Sequence, residues 1–183
     1  MRGIERRIAA GLRADVASVA SVFVSRWDKA VQGKAPETLR NQLGIAMARR
    51  CYAAGRALQA SPRWLAAANA GARPQRLLWA STGTKDPGAS EILYVKALAA
   101  PFTVNTMPEA TLNALARHQS IGSILSPDGG DCEHVLALFK NVGIDVDALA
   151  RCLQEDGARS FADSWGSLMN VIASKTAVLT RSA

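Results

Sequence analysis

Arg76-Leu77-Leu78-Trp79-Ala80-Ser81-Thr82-Gly83-Thr84-Lys85-Asp86-Pro87-Gly88 is the stretch that decides the fold. Its first six residues predict a strand. The next seven are turn formers and predict a loop. A helix is expected from Ala89 to about Leu98. Phe102-Thr103-Val104-Asn105-Thr106 then predicts another strand, and Pro108 opens a helix reaching about His118. Strand, loop and helix thus repeat between residues 76 and 118, an alternation that indicates parallel strands joined by crossover helices.

Upstream, Val16-Ala17-Ser18-Val19-Ala20-Ser21-Val22-Phe23-Val24 is continuous and rich in β-branched residues. It predicts a short buried strand. Residues 2–12 read as the end of a helix closed by Gly11. Residues 37–59 predict one long helix with Leu39, Leu43, Met47 and Tyr52 among its apolar positions. Ser61-Pro62 restarts helix, Ser as N-cap and Pro at the first helical position, up to about Asn69.

Beyond Gly122 the strand signal stops. Ser126-Pro127-Asp128-Gly129-Gly130 is a turn, and three helices are expected near 131–142, 145–156 and 158–179, parted by Gly143 and Gly157. Phe161, Trp165, Leu168, Met169 and Ile172 make a stripe on the last, expected to pack on the rest of the fold. Three parallel strands cannot close a barrel, and a full (β/α)₈ barrel takes about 250 residues. The chain has 183, which suggests the back part of something larger.

The net charge of +7 sits entirely in residues 1–56, with 11 Lys/Arg against 4 Asp/Glu; the rest carries 11 of each. No aromatic residues interleave with these arginines as a nucleic-acid platform requires, so a solvated or partner-facing helix surface is expected, with no nucleic-acid partner. No apolar run reaches the roughly 18 residues of a membrane span, so no membrane partner is expected. The N-terminus lacks the apolar stretch of a secretory signal. Cys51, Cys132 and Cys152 are expected as free thiols in a reducing cytoplasm.

In parallel α/β folds ligands sit at the carboxyl ends of the strands. Two of the three ends place a hydroxyl before a cation: Ser21 with Arg26, and Ser81 with Lys85. Hydroxyls, backbone N–H groups and a guanidinium suit a phosphate monoester. The same residues also suit a purely structural role capping the following helices. Asp28 and Asp86 read equally as helix-start carboxylates, and His118 as a cation at a helix end. Cys132-Glu133-His134 has no second ligand pair, so no metal is expected. There is no nucleophile elbow and no Walker loop. None of Lys29, Lys34, Lys85, Lys96, Lys140 and Lys175 falls in an expected strand, where a Schiff-base lysine would be desolvated.

At these loops the sequence resembles a known family. Ser18-Val19-Ala20-Ser21-Val22-Phe23-Val24-Ser25-Arg26-Trp27-Asp28 is similar to the Ser-Val-Ala-Ser-Phe-Phe-Val-Ser-Arg-x-Asp segment of the longer bacterial transaldolases. Residues 72–87 and 100–108 resemble the same family, as do Leu153-Gln154-Glu155-Asp156-Gly157, Ser160-Phe161 and Trp165. The resemblance implies a fold: α/β, the C-terminal part of a (β/α)₈ TIM barrel with about three parallel strands over 1–122, plus a helical C-terminal extension over 123–183 packing on it. It implies an activity, transfer of a dihydroxyacetone unit from sedoheptulose 7-phosphate to glyceraldehyde 3-phosphate in the non-oxidative pentose phosphate pathway. It implies sugar phosphates as ligands and no cofactor. Ser21, Phe23 and Arg26 match the family's Ser-x-Phe-x-x-Arg element at the substrate site, Ser81 the serine of the next strand end, and Lys85 the longer subfamily's Gly-Thr-Lys.

The family's Schiff-base lysine lies in Val-Lys-Ile-Pro-Ala-Thr, which is absent from this sequence, as is the following Asn-Val-Thr-Leu-Leu strand. No catalytic lysine and no acid/base carboxylates are therefore assigned. The expectation is a phosphate-binding half, inactive alone, from a truncated, split or frameshifted gene or a misplaced start. It would act with a separate chain carrying the lysine half, or self-associate. The alternative is a non-catalytic phosphosugar-binding or assembly half-barrel.

Overall fold

Three short strands form one parallel sheet in the computed structural model, which describes residues 1–118 and 120–181. The elements run α1 (Arg2–Ala9), β1 (Val19–Phe23), α2 (Val24–Val31), α3 (Leu43–Gln59), α4 (Pro62–Asn69), β2 (Arg76–Ala80), α5 (Leu93–Ala97), β3 (Thr103–Asn105), α6 (Glu109–Ala116), α7 (Cys132–Asn141) and α8 (Val146–Arg181). The sheet order is β1-β2-β3. Val19 pairs with Arg76 and Phe23 with Ala80, while Leu78 pairs with Val104. All three expected strands are present and parallel, and among the described residues no strand follows β3.

Alternation divides each strand between two faces. Val22, Leu77 and Trp79 point to the helices, where a cluster of Val24, Ala48, Tyr52, Trp79, Tyr94, Leu98 and Leu125 is buried. Trp79 is fully buried, and its indole N–H donates to the Leu98 carbonyl at 3.0 Å. That bond satisfies the one polar atom of the largest core side chain, so the ring contributes its whole apolar area, on the order of 2–3 kcal/mol or more. On the opposite face Val19 and Ser21 are exposed and Arg76 with them.

The expected helix over 37–59 is interrupted. Glu37–Leu39 is a single 3₁₀ turn, and α3 begins only at Leu43. Asn41 takes a left-handed φ of 59°, which breaks the helix. Arg40 and Asn41 instead turn their side chains to Asp86. Ser61 does cap α4: its hydroxyl accepts from the Trp64 N–H at 3.2 Å, with Pro62 at the first helical position.

Three arginines pair with acidic residues of neighbouring elements. Arg50 makes a bidentate contact with Glu133 at 2.7 and 2.5 Å, and Arg49 reaches Asp131 at 2.7 Å, both joining α3 to α7. Arg63 pairs with Glu5 between α4 and α1. Each exposed pair contributes about 0–1 kcal/mol, so they orient helices that apolar burial holds.

The chain groups into two units, Met1–Ile144 and the residues from Asp145 on, so α7 belongs with the sheet. Gly143, at φ 83°, ends that unit's last turn. The second unit is one helix: the two expected over 145–156 and 158–179 are continuous through Gly157. A glycine inside a helix costs roughly 1 kcal/mol, too little to break a helix without a left-handed residue or a proline. The α8 stripe of Phe161, Trp165, Leu168, Met169 and Ile172 is exposed. Cys51 and Cys132 are free thiols. Among the described residues no helix is long and apolar enough to cross a membrane.

Candidate functional site

β1 runs into α2 without a loop. Phe23 is the N-cap, with extended backbone, and Val24 is already helical. The two residues after it, Ser25 and Arg26, therefore lie in the first turn of α2, where the helix dipole favours an anion. The Arg26 guanidinium lies over the Phe23 ring, 4.4 Å from its centroid. At an exposed site such stacking is worth about 0.5–1 kcal/mol, enough to hold the cation at the strand end without trapping it.

At the neighbouring strand end Ser81 has a φ of 57°. For a non-glycine residue that left-handed conformation costs about 1–3 kcal/mol. Two bonds to α2 hold it: the Ser25 N–H donates to the Ser81 carbonyl at 3.1 Å, and the two hydroxyls lie 2.8 Å apart. Thr82 is fully buried, its hydroxyl 2.9 Å from Asn105 Oδ1 and 2.8 Å from the Thr106 carbonyl. The three strand ends are thus tied side by side by hydroxyls. Gly83 follows, where an added Cβ would meet Pro108 Cγ at 3.0 Å, so the loop passes close under α6's entry.

Lys85 is exposed and lines a cavity of about 330 Å³ with Ser25, Asp28, Arg40, Asp86 and Tyr94. Asp28 is largely buried, and burial pushes its carboxyl above the usual range against the opposing Tyr94 O–H and the Gly44 and Leu43 N–H groups. The Tyr94 hydroxyl donates to Asp28 Oδ2 at 2.8 Å and the Gly44 N–H to Oδ1 at 3.2 Å. Burial and the adjacent Asp28 charge raise the Tyr94 phenol far above its ordinary value, so it stays a donor. Asp86 is held low, first by the Asn41 amide, then by the Gly88 N–H and Arg40. Neither carboxylate is a helix-start residue. Asp28 fastens α2 to α3 and α5, and Asp86 fastens the loop after β2 to the turn before α3.

Of the five residues expected at the site, Phe23 and Arg26 meet each other. Ser81 meets Ser25 instead of any of the other four. Lys85 lies on the cavity that Ser25 also lines. Ser21 stands on the open sheet face, in register with Leu78. Ser25 and Tyr94 are the residues that sequence reasoning passed over, and Asp28 was read equally as a helix-start carboxylate. Ser25 was visible as the hydroxyl beside Arg26; the meeting of Tyr94 with Asp28, 66 residues away, leaves no local trace. Among the described residues no three His, Cys, Asp or Glu side chains gather as a metal group, and Glu133 of Cys132-Glu133-His134 is engaged by Arg50.

Residues 5–172 match the family described as Transaldolase/Fructose-6-phosphate aldolase. The transaldolase of Parafrankia sp. (strain EAN1pec) is 46% identical over 181 residues, covering 94% of this chain and 49% of that protein. The transaldolase of Thermobifida fusca (strain YX) is 40% identical over 189 residues, 98% of this chain and 51% of that protein. That of Neisseria meningitidis serogroup A is 38% identical over 169 residues, 92% of this chain and 48% of that protein. The chain spans about half the length of the curated relatives it matches. With a family match over nearly all of its length, the chain belongs to the transaldolase/fructose-6-phosphate aldolase family, whose fold is the TIM barrel.

Proposed function

We propose that this chain forms the phosphate-holding part of a transaldolase, the transferase of the pentose phosphate pathway that moves a dihydroxyacetone unit from sedoheptulose 7-phosphate to glyceraldehyde 3-phosphate. The observation that carries the reading is the cluster of Phe23, Ser25, Arg26 and Ser81 at adjoining strand ends, two of them in the first turn of α2. A phosphate arriving there draws the Arg26 guanidinium off the Phe23 ring into a bidentate contact. The Ser81 hydroxyl donates beside it, and Lys85 closes over it from its exposed loop. Ser21, two register rows into the sheet from Phe23, faces the sugar. The thiols of Cys51, Cys132 and Cys152 suit a reducing cytoplasm.

Turnover requires a lysine that forms a Schiff base, and among the described residues none of the chain's lysines lies in a strand. Under this reading the nucleophile comes from a segment outside these residues, received by the edge of β1 and the open sheet face. This lysine placement also favours the second reading, a phosphosugar-binding or assembly half-barrel without turnover.

Borohydride trapping with fructose 6-phosphate tests both. The chain alone is expected to trap no adduct; trapping on Lys85 or Lys96 would refute the assignment. Arg26→Ala should weaken phosphosugar binding about tenfold to a hundredfold, the worth of a charged hydrogen-bond pair, while Lys140→Ala on α7 leaves it unchanged. Co-expression with a lysine-bearing half restores turnover under the first reading and not under the second.

A further inference from the structure

We infer that Ser25 is a positioning residue whose hydroxyl donates to Ser81 Oγ and so turns the Ser81 proton toward the bound phosphate; this rests on the phosphate reading above. A serine hydroxyl has one proton and two acceptor lone pairs. The 2.8 Å pair can run either way between Ser25 and Ser81. A phosphate presents only acceptors to its site, so Ser81 must donate outward to it. Its contact with Ser25 is then one in which Ser81 accepts, and Ser25 is the donor. Ser25 is placed for this: it is 3% exposed, in the first turn of α2, with its own N–H committed to the Ser81 carbonyl.

The backbone of Ser81 supports the same assignment. A left-handed φ of 57° at a serine is sparsely populated and persists where neighbours over-determine it. Here α2 supplies both constraints, one on the carbonyl and one on the hydroxyl. Ser25 touches no phosphate oxygen in this arrangement. Its part is to set the direction of a donor on the next strand end, as residues supporting a binding group do when they lock its rotamer.

The test is a double-substitution cycle on the full chain, titrated with fructose 6-phosphate and followed by amide shifts around Arg26 and Ser81. Ser25→Ala should weaken binding about two- to tenfold, the worth of one oriented neutral hydrogen bond. In a Ser81→Ala background Ser25→Ala should cost nothing further, which a merely structural role would not produce. Ser25→Cys, which keeps the volume with a weaker donor, should fall between wild type and Ser25→Ala, and thermal melts confirm that each variant is folded. If Arg26→Ala weakens binding but Ser25→Ala does not, or if the two serine effects add, the positioning inference is wrong and the phosphate site stands. If wild type and Arg26→Ala bind alike, or neither binds, the phosphate reading is wrong and the inference falls with it.

Discussion

Gly44 lies where α3 crosses α2, and replacing it with alanine tests the packing that holds the first turn of α2 in place. A Cβ there would lie 2.4 Å from the Val24 carbonyl oxygen, 2.7 Å from Asp28 Oδ2 and 3.1 Å from the Val24 carbonyl carbon. Ordinary carbon–oxygen contacts begin at about 3.3 Å, so α3 must retreat by about 1 Å. Two of the three atoms are backbone and cannot rotate away. Overpacking of this kind costs about 1–3 kcal/mol. The retreat also stretches the Gly44 N–H bond to Asp28, at 3.2 Å already long, and a hydrogen bond to a charged group is worth about 1.5–3 kcal/mol. Against this stands the helix propensity of alanine over glycine, about 1 kcal/mol. The net expectation for Gly44→Ala is a loss of about 1.5–5 kcal/mol. Gly55 in the same helix is the control: its added Cβ would make only ordinary contact, 3.6 Å from Leu77 Cδ1, so Gly55→Ala should stabilise by about 0.4–1 kcal/mol. Urea unfolding followed by far-ultraviolet circular dichroism separates them. Equal midpoints for the two variants would refute the close crossing of α2 and α3.

Asp28 gives the stability a pH dependence. Burial raises its carboxyl above the ordinary 3.8, so as pH rises past that value the unfolded chain releases the proton first and stability falls until the folded carboxyl has ionised as well. Urea midpoints for Asp28→Asn should lack this decline, and a parallel decline in both proteins would contradict it. Expressed alone, the chain should self-associate through its open sheet face and the free edge of β1; a monomer in sedimentation across a wide concentration range, with one cooperative melt, would argue against that.

The strands were legible because their signals are local. Val19-Ala20-Ser21-Val22-Phe23 and Arg76-Leu77-Leu78-Trp79-Ala80 carry their β preference in the residues themselves, and Ser61-Pro62 announces its own cap. The break before α3 was not legible, because Arg40 and Asn41 are drawn out of helix by Asp86, 46 and 45 residues away. Gly157 misled for the opposite reason: glycine at a helix end and glycine within a helix look alike until the backbone angle is known. At the candidate site the sequence picked out Arg26 and Ser81. It could not pair Ser81 with Ser25, because that contact exists only once two strands lie in register.

That register has a consequence for the order in which the molecule assembles. Ser25 and Ser81 are 56 residues apart, whereas Thr82 and Asn105, which tie the other two strand ends, are 23 apart. Closing the longer loop costs about 0.8 kcal/mol more in chain entropy, so β2 and β3 with the helix between them meet before β1 arrives. Both β1 and β3 are edge strands, but only β1 leads into the candidate site, so a local opening of β1 takes the site apart. Phe23, Ser25 and Arg26 leave with it. The candidate site therefore exists only while the slowest-won contact of the sheet is in place, and a phosphate bound across β1 and β2 would work as a clasp on that strand, slowing its amide exchange before that of any other part of the sheet.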